Sequence, residues 1–149
     1  GQVDLLPIGS WEIEKKGDDI VILAIGPMVY SALDVSSKLE EYGYSCEVVN
    51  CRFIKPMDTG YLESIINKFD KLVTIEEGVL SGGFGDGLSS WMLENGFKGK
   101  IKRIGLPDDY VQHGSRSQIF KHIGLDTDSI TLTVKNLIEL EKVEEATIA

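Results

Sequence analysis

Glu76 and Glu77 stand side by side at the end of a short apolar run, Val73-Thr74-Ile75, and a glycine-rich segment follows, Ser81-Gly82-Gly83-Phe84-Gly85-Asp86-Gly87. Two chemistries suit such a set. Crowded carboxylates can hold separated pKa values and divide general-acid and general-base work. A glycine loop opening onto a helix can present backbone N–H groups to a small anion. Both meet an obstacle in the spacing. Adjacent strand residues point to opposite faces, so Glu76 and Glu77 do not converge on one substrate atom; one of them is better placed to meet a helix N-terminus or a neighbouring domain. Counted from Gly83 and Gly85, the third small residue of a G-x-G-x-x-G loop falls on Leu88, and no G-x-x-x-x-G-K-[ST] occurs. Both patterns of nucleotide binding are therefore disfavoured. The glycines are then read as allowing a tight strand-to-helix turn and close packing.

A second candidate set is Asp108, Asp109 and His113, with Ser115 nearby. A Ser-His-Asp arrangement of Ser115, His113 and Asp108 rests on nearness in sequence alone, and Ser115 fits the capping box Ser115-Arg116-Ser117-Gln118. Three potential metal ligands within a few residues are common in loops, so the stretch reads as a solvated or interfacial loop. No catalytic, cofactor-binding or metal-binding residue is assigned. The candidate interface residues are Glu76, Glu77, Gly82, Gly83, Gly85, Asp108 and His113.

Alternating strands and helices must position these residues. Trp11 to Lys16 alternates apolar and polar residues and then turns charged, as an edge strand does. Ile20 to Ile25 is continuously apolar, as in a strand buried on both faces of a parallel sheet. Met28, Ala32, Val35, Leu39 and Tyr42 mark an amphipathic helix that Gly43 can end. Cys46 to Phe53 is the next strand; Asp58 caps a short helix carrying Leu62, Ile65, Ile66 and Phe69. Lys71 to Glu76 is a strand, the glycine loop opens a helix through Leu88, Trp91 and Met92, and Lys100 to Gly105 is a further strand. Helices follow from Ser115 to Gly124 and from Asp126 through Ile130, Val134, Leu137 and Ile138. This order predicts a three-layer α/β/α sandwich with a mainly parallel sheet and right-handed crossovers.

Composition narrows the function classes. The 149 residues are 42% hydrophobic, enough for one domain with a real core. A net charge of -9 disfavours nucleic acid and anionic membranes, both of which are met with Lys and Arg. No apolar run approaches the ~18 to 20 residues of a membrane span. Cys46 and Cys51 sit at an odd offset on one strand, facing opposite sides, so they are expected to be unpaired packing thiols of a reducing compartment.

Taken together, the motifs resemble the C-terminal domain of transketolase-family enzymes: Lys15 to Gly17 with Ile20 to Gly26, Asn50-Cys51-Arg52-Phe53-Ile54-Lys55-Pro56-Met57-Asp58, and Val73 to Gly78 with Gly82-Gly83-Phe84-Gly85. The resemblance runs from about Leu6 to the last helix. Arg103-Ile104-Gly105-Leu106-Pro107-Asp108, Tyr110-Val111, His113-Gly114 and Gly124-Leu125-Asp126 narrow it to the 1-deoxy-D-xylulose-5-phosphate synthase branch. Glu76-Glu77-Gly78 departs from that branch's usual Glu-Glu-Asn and is the form seen more often in ketoacid dehydrogenase β subunits, which with transketolase form the alternative.

The resemblance implies a mixed five-stranded sheet with one antiparallel edge strand near Glu12 and four parallel strands, the Asp19 strand lying between those of Cys46 and Leu72. It implies residues 1–10 as a linker from upstream domains, 11–142 as the domain and 143–149 as a frayed tail. The parent enzyme would use thiamine diphosphate and a divalent metal (Mg2+), both held on upstream domains, to join pyruvate to glyceraldehyde 3-phosphate with loss of CO2. That reaction feeds isoprenoid, thiamine and pyridoxal synthesis. This chain would supply packing against those domains and part of a homodimer interface, in the cytoplasm or a plastid stroma, and be inactive alone. A small-anion-binding module is the competing reading of another class.

Overall fold

The run Ile20-Val21-Ile22-Leu23-Ala24 offers no polar side, and in the computed structural model it needs none. That structure describes residues 9–52, 56–77, 83–106 and 126–148. Strand β2 (Ile20–Ala24) is buried along its whole length, with β3 (Cys46–Asn50) and β4 (Lys71–Glu77) as its parallel neighbours. β5 (Lys100–Leu106) extends the parallel set beyond β4, and β1 (Glu12–Lys15) closes the other edge antiparallel to β3, giving the order β1-β3-β2-β4-β5. The mixed five-stranded sheet and its strand order agree with the expectation. A register shift between Ile13 and Lys15, together with the charged residues of β1, makes that edge a poor template for further pairing.

Four helices flank the sheet among the described residues: α1 (Met28–Glu40), α2 (Thr59–Ile65), α3 (Phe84–Glu94) and α4 (Thr127–Ile148). From β2 the chain moves to one side to make β3, then back over β2 to β4 and onward to β5. Right-handed crossovers therefore place α1 on one face and α2 and α3 on the other. The core divides accordingly. Met28, Ala32, Val35 and Leu39 of α1 pack with Ile130, Val134 and Ile138 of α4 on Ile20, Ile22, Val48, Val73 and Ile75. Leu62 of α2 and Phe84, Leu88 and Met92 of α3 pack on Val21, Leu23, Val49 and Leu72.

One expectation changes. Tyr42 does not continue the buried face of α1; the helix ends at Glu40, so the residue leaves the helical period and is exposed, with the Lys135 ammonium 4.8 Å from its ring centre. Helical backbone in α4 continues to Ile148. Glu, Lys and Ala are strong helix formers, and neither Gly nor Pro follows Gly124 to stop them. The expected helix from Ser115 to Gly124 lies outside the described residues.

Cys46 belongs to the α1/α4 core and Cys51 to the α2/α3 core, so the odd offset does put them on opposite faces, and both are free. Burial pushes the Cys46 thiol up from its ordinary 9.0 to about 12 and the Cys51 thiol well above 9.0. The native state thus holds these protons more tightly than the unfolded chain. The resulting stability is complete below the ordinary thiol value and is lost as pH rises through the raised one. Neither thiol should react with a disulfide reagent at pH 8 until denaturant is added; one equivalent of fast labelling in the native protein would contradict the burial.

Candidate functional site

Along β4, Val73 and Ile75 face α1 and α4, while Leu72 faces α2 and α3. Strand alternation therefore sends Thr74 and Glu76 toward α3. Glu76, 6% exposed, reaches the start of that helix, where its Oε2 accepts from the Phe84 N–H at 3.1 Å and its Oε1 from the Gly85 N–H at 3.1 Å. Helix N-termini carry four backbone donors without intrahelical partners and a partial positive charge. Here two of those donors are closed by a carboxylate from the adjoining strand. Gly83, the N-cap, has an extended backbone and no side chain to cap with, so Glu76 supplies what a Ser or Asp at that position would.

The next residue on this face is Arg103, on β5 beside Thr74. Its Nη1 lies 2.6 Å from Oδ1 of Asp86, in the first turn of α3. The guanidinium passes over Gly85, where an added Cβ would fall 2.8 Å from Nε. The glycine loop thus has a specific use at Gly85: it lets the Arg103–Asp86 pair cross the helix start. Leu88, at the position that breaks the dinucleotide pattern, is fully buried in the core beneath α3.

These residues lie at the sheet's switch point. β2 leads away toward β3 and β4 leads away toward β5, so a crevice is expected between their carboxyl ends. Of the interface candidates, the structure brings Glu76, Gly83 and Gly85 together there. Glu77 closes β4, paired with Leu106 of β5. Gly82, Asp108 and His113 lie outside the described residues. Both Glu76 oxygens are committed as acceptors, so this side chain positions backbone. Among the described residues no three His, Cys, Asp or Glu side chains stand close enough to share a metal ion, and no helix is long and apolar enough to cross a membrane.

Beside α3, residues around the chain's entry to the sheet form a second polar set. Asp58 caps α2 as expected, its Oδ1 accepting from the Tyr61 N–H at 3.0 Å, and its Oδ2 also accepts from the Trp11 N–H at 2.9 Å. The Arg52 Nη2 donates to the Ser10 carbonyl at 3.1 Å, and Nη1 lies 3.3 Å from Glu12 Oε2. From the sequence Asp58 is expected only as a cap and within a family motif, Arg52 and Arg103 stand only within family motifs, and Asp86 and Trp11 carry no role of their own. Their spacing in the sequence carries no signal of these pairings. Asp58→Ala should lower stability by about 1–2 kcal/mol, the usual cost of losing an N-cap, read as a fall in the urea midpoint; a change confined to a few tenths would show that the cap is dispensable.

Comparison with known proteins gives a consistent picture. The family model described as "Transketolase, C-terminal domain" matches residues 9–130. The chain is 40% identical over 138 residues to 1-deoxy-D-xylulose-5-phosphate synthase of Bacillus cereus (strain AH187), an alignment covering 92% of this chain and 22% of that protein. The same enzyme of Bacillus anthracis gives the same figures. The chain therefore spans 22% of the length of these curated relatives. Among solved structures, a split-gene transketolase in the form of an inactive beta4 tetramer superposes with a TM-score of 0.77 at 27% identity, over 91% of this chain and 44% of that one. A Pichia stipitis transketolase superposes at 0.58 with 20% identity, over 90% of this chain and 18% of that one, a likeness of fold.

Proposed function

This chain belongs to the transketolase C-terminal domain family, and on that premise we propose that it is the assembly domain of a 1-deoxy-D-xylulose-5-phosphate synthase. The whole enzyme joins pyruvate to glyceraldehyde 3-phosphate with loss of CO2, using thiamine diphosphate and Mg2+. The described residues do not fit that cofactor. Two of the α3 amides an anion would need are bonded to Glu76, and among the described residues no three His, Cys, Asp or Glu side chains stand close enough to share a metal ion. This supports placing the chemistry on upstream domains and leaving this domain to pack against them and to complete a homodimer. The enzyme so assembled works in the cytoplasm or a plastid stroma.

The observation that carries the reading is the closure of the α3 N-terminus from within. A helix start finished by its own chain presents a shaped surface at the switch point, suited to a neighbouring domain. The interface is assigned to Glu76, Glu77, Gly82, Gly83, Gly85, Asp108 and His113. The decisive experiment is to read the gene upstream of Gly1 and express the whole protein. A thiamine-diphosphate domain and synthase activity that deletion of this domain abolishes are expected; an upstream region without such a domain would sink the proposal.

One observation favours a second reading. Glu76-Glu77-Gly78 is the form more often seen in ketoacid dehydrogenase β subunits, and the same upstream sequence decides between them. The anion-binding module is opposed by Glu76, which occupies the donors. Titration calorimetry of this chain with phosphate, diphosphate and pyruvate should give no heat.

A further inference from the structure

The segment entering the sheet is held more firmly than a linker needs to be. Arg52 grips the Ser10 carbonyl, Asp58 accepts from the Trp11 N–H, and Gly9, at φ +86°, lies against Pro56, close enough that a Cβ would sit 3.0 Å from the proline ring. All three partners come from the connection between β3 and α2. What this grip fixes is Trp11, which is 8% exposed and inserted between two elements. Its ring meets Tyr61 of α2 at 6.1 Å and meets Phe84 at 5.7 Å with an interplanar angle of 68°, an edge-on pair. Phe84 is the first residue of α3, and its N–H is one of the two that Glu76 accepts.

From this chain of contacts we infer that Gly9–Trp11 is a strap, and that Trp11 is a positioning residue for the start of α3. The strap fixes the indole, the indole fixes the Phe84 ring, and the ring holds the Phe84 and Gly85 amides over the Glu76 carboxylate. A pull on Gly9–Ser10 thus has a route to the switch-point surface through the Trp11–Phe84 pair. The inference concerns the coupling alone and stands whether or not that surface is a domain interface.

Native-state hydrogen exchange of the full chain, followed residue by residue, tests it. In Trp11→Ala the Phe84 and Gly85 amides should exchange roughly tenfold faster relative to the central β2 amides of Ile22 and Leu23, a local opening distinct from global unfolding. Trp11→Phe, which keeps an aromatic edge, should restore most of that protection. Arg52→Gln, which leaves the aromatic cluster and the α2 cap in place, should show the same change in direction and carries the test if Trp11→Ala does not fold. A rise shared equally by β2, α2 and α3 would make Trp11 an ordinary core residue and overturn the inference. So would unchanged protection at Phe84 and Gly85.

Discussion

Glu76→Ala should destabilise the protein by about 2–4 kcal/mol, because it leaves two buried backbone donors without partners and removes a negative charge from a helix N-terminus. Gly83, at the N-cap position, carries no side chain that could take over the Phe84 and Gly85 N–H groups. Glu76→Gln should cost about half as much on the same reasoning: its amide oxygen can still accept one N–H, but its NH2 group faces the other donor. Urea titration followed by circular dichroism measures both. Equal midpoints for the wild type and Glu76→Ala would mean that the α3 start is held by something else. In a full-length enzyme, the interface reading adds that Glu76→Ala weakens subunit assembly more than a core substitution of equal cost to stability.

Gly17→Ala should be more severe still. Gly17 links β1 to β2, and an added Cβ would lie 2.2 Å from the Cys46 carbonyl carbon, 2.5 Å from the Glu47 nitrogen and 2.6 Å from the Cys46 oxygen. These are main-chain atoms of β3, which cannot yield without breaking the sheet. The Gly17 N–H also donates to Glu47 Oε1 at 3.4 Å, a buried carboxylate that accepts in addition from the Tyr61 hydroxyl at 2.6 Å and lies 3.4 Å from the Lys68 ammonium. Displacing β1 therefore disturbs that network too. A loss of more than about 4 kcal/mol is expected, or about 10 °C in melting temperature for a domain of this size. Gly87→Ala is the control: its Cβ meets nothing within 4 Å inside α3, and exchanging a helical glycine for alanine should add about 0.5–1 kcal/mol. If both variants melted together, the close approach at Gly17 would carry no weight.

Much of this architecture is legible in the residues. The continuous apolar run of β2 requires a strand covered on both faces, and the spacing of Met28, Ala32, Val35 and Leu39 requires a helix with one buried side. Strand alternation alone separates Cys46 from Cys51. The same reasoning errs at Tyr42, because a hydrophobic period does not reveal where a helix ends; the turn after Glu40 moves that side chain into solvent. Strand order came from the family resemblance, since periodicity fixes an element's faces but not its neighbours.

The candidate site divides along the same line. By itself the sequence determined that Glu76 and Glu77 diverge, that Leu88 breaks the dinucleotide pattern, and that one carboxylate is placed to meet either a helix start or a neighbouring domain, because each of these depends on local geometry. Only the tertiary structure decided that Glu76 is the one that closes α3, that Arg103 crosses Gly85 to reach Asp86, and that Asp58 holds Trp11 as well as its own helix. Those partners come from different elements brought together at one end of the sheet. Their meeting is set by strand order and crossover handedness, which no local spacing encodes.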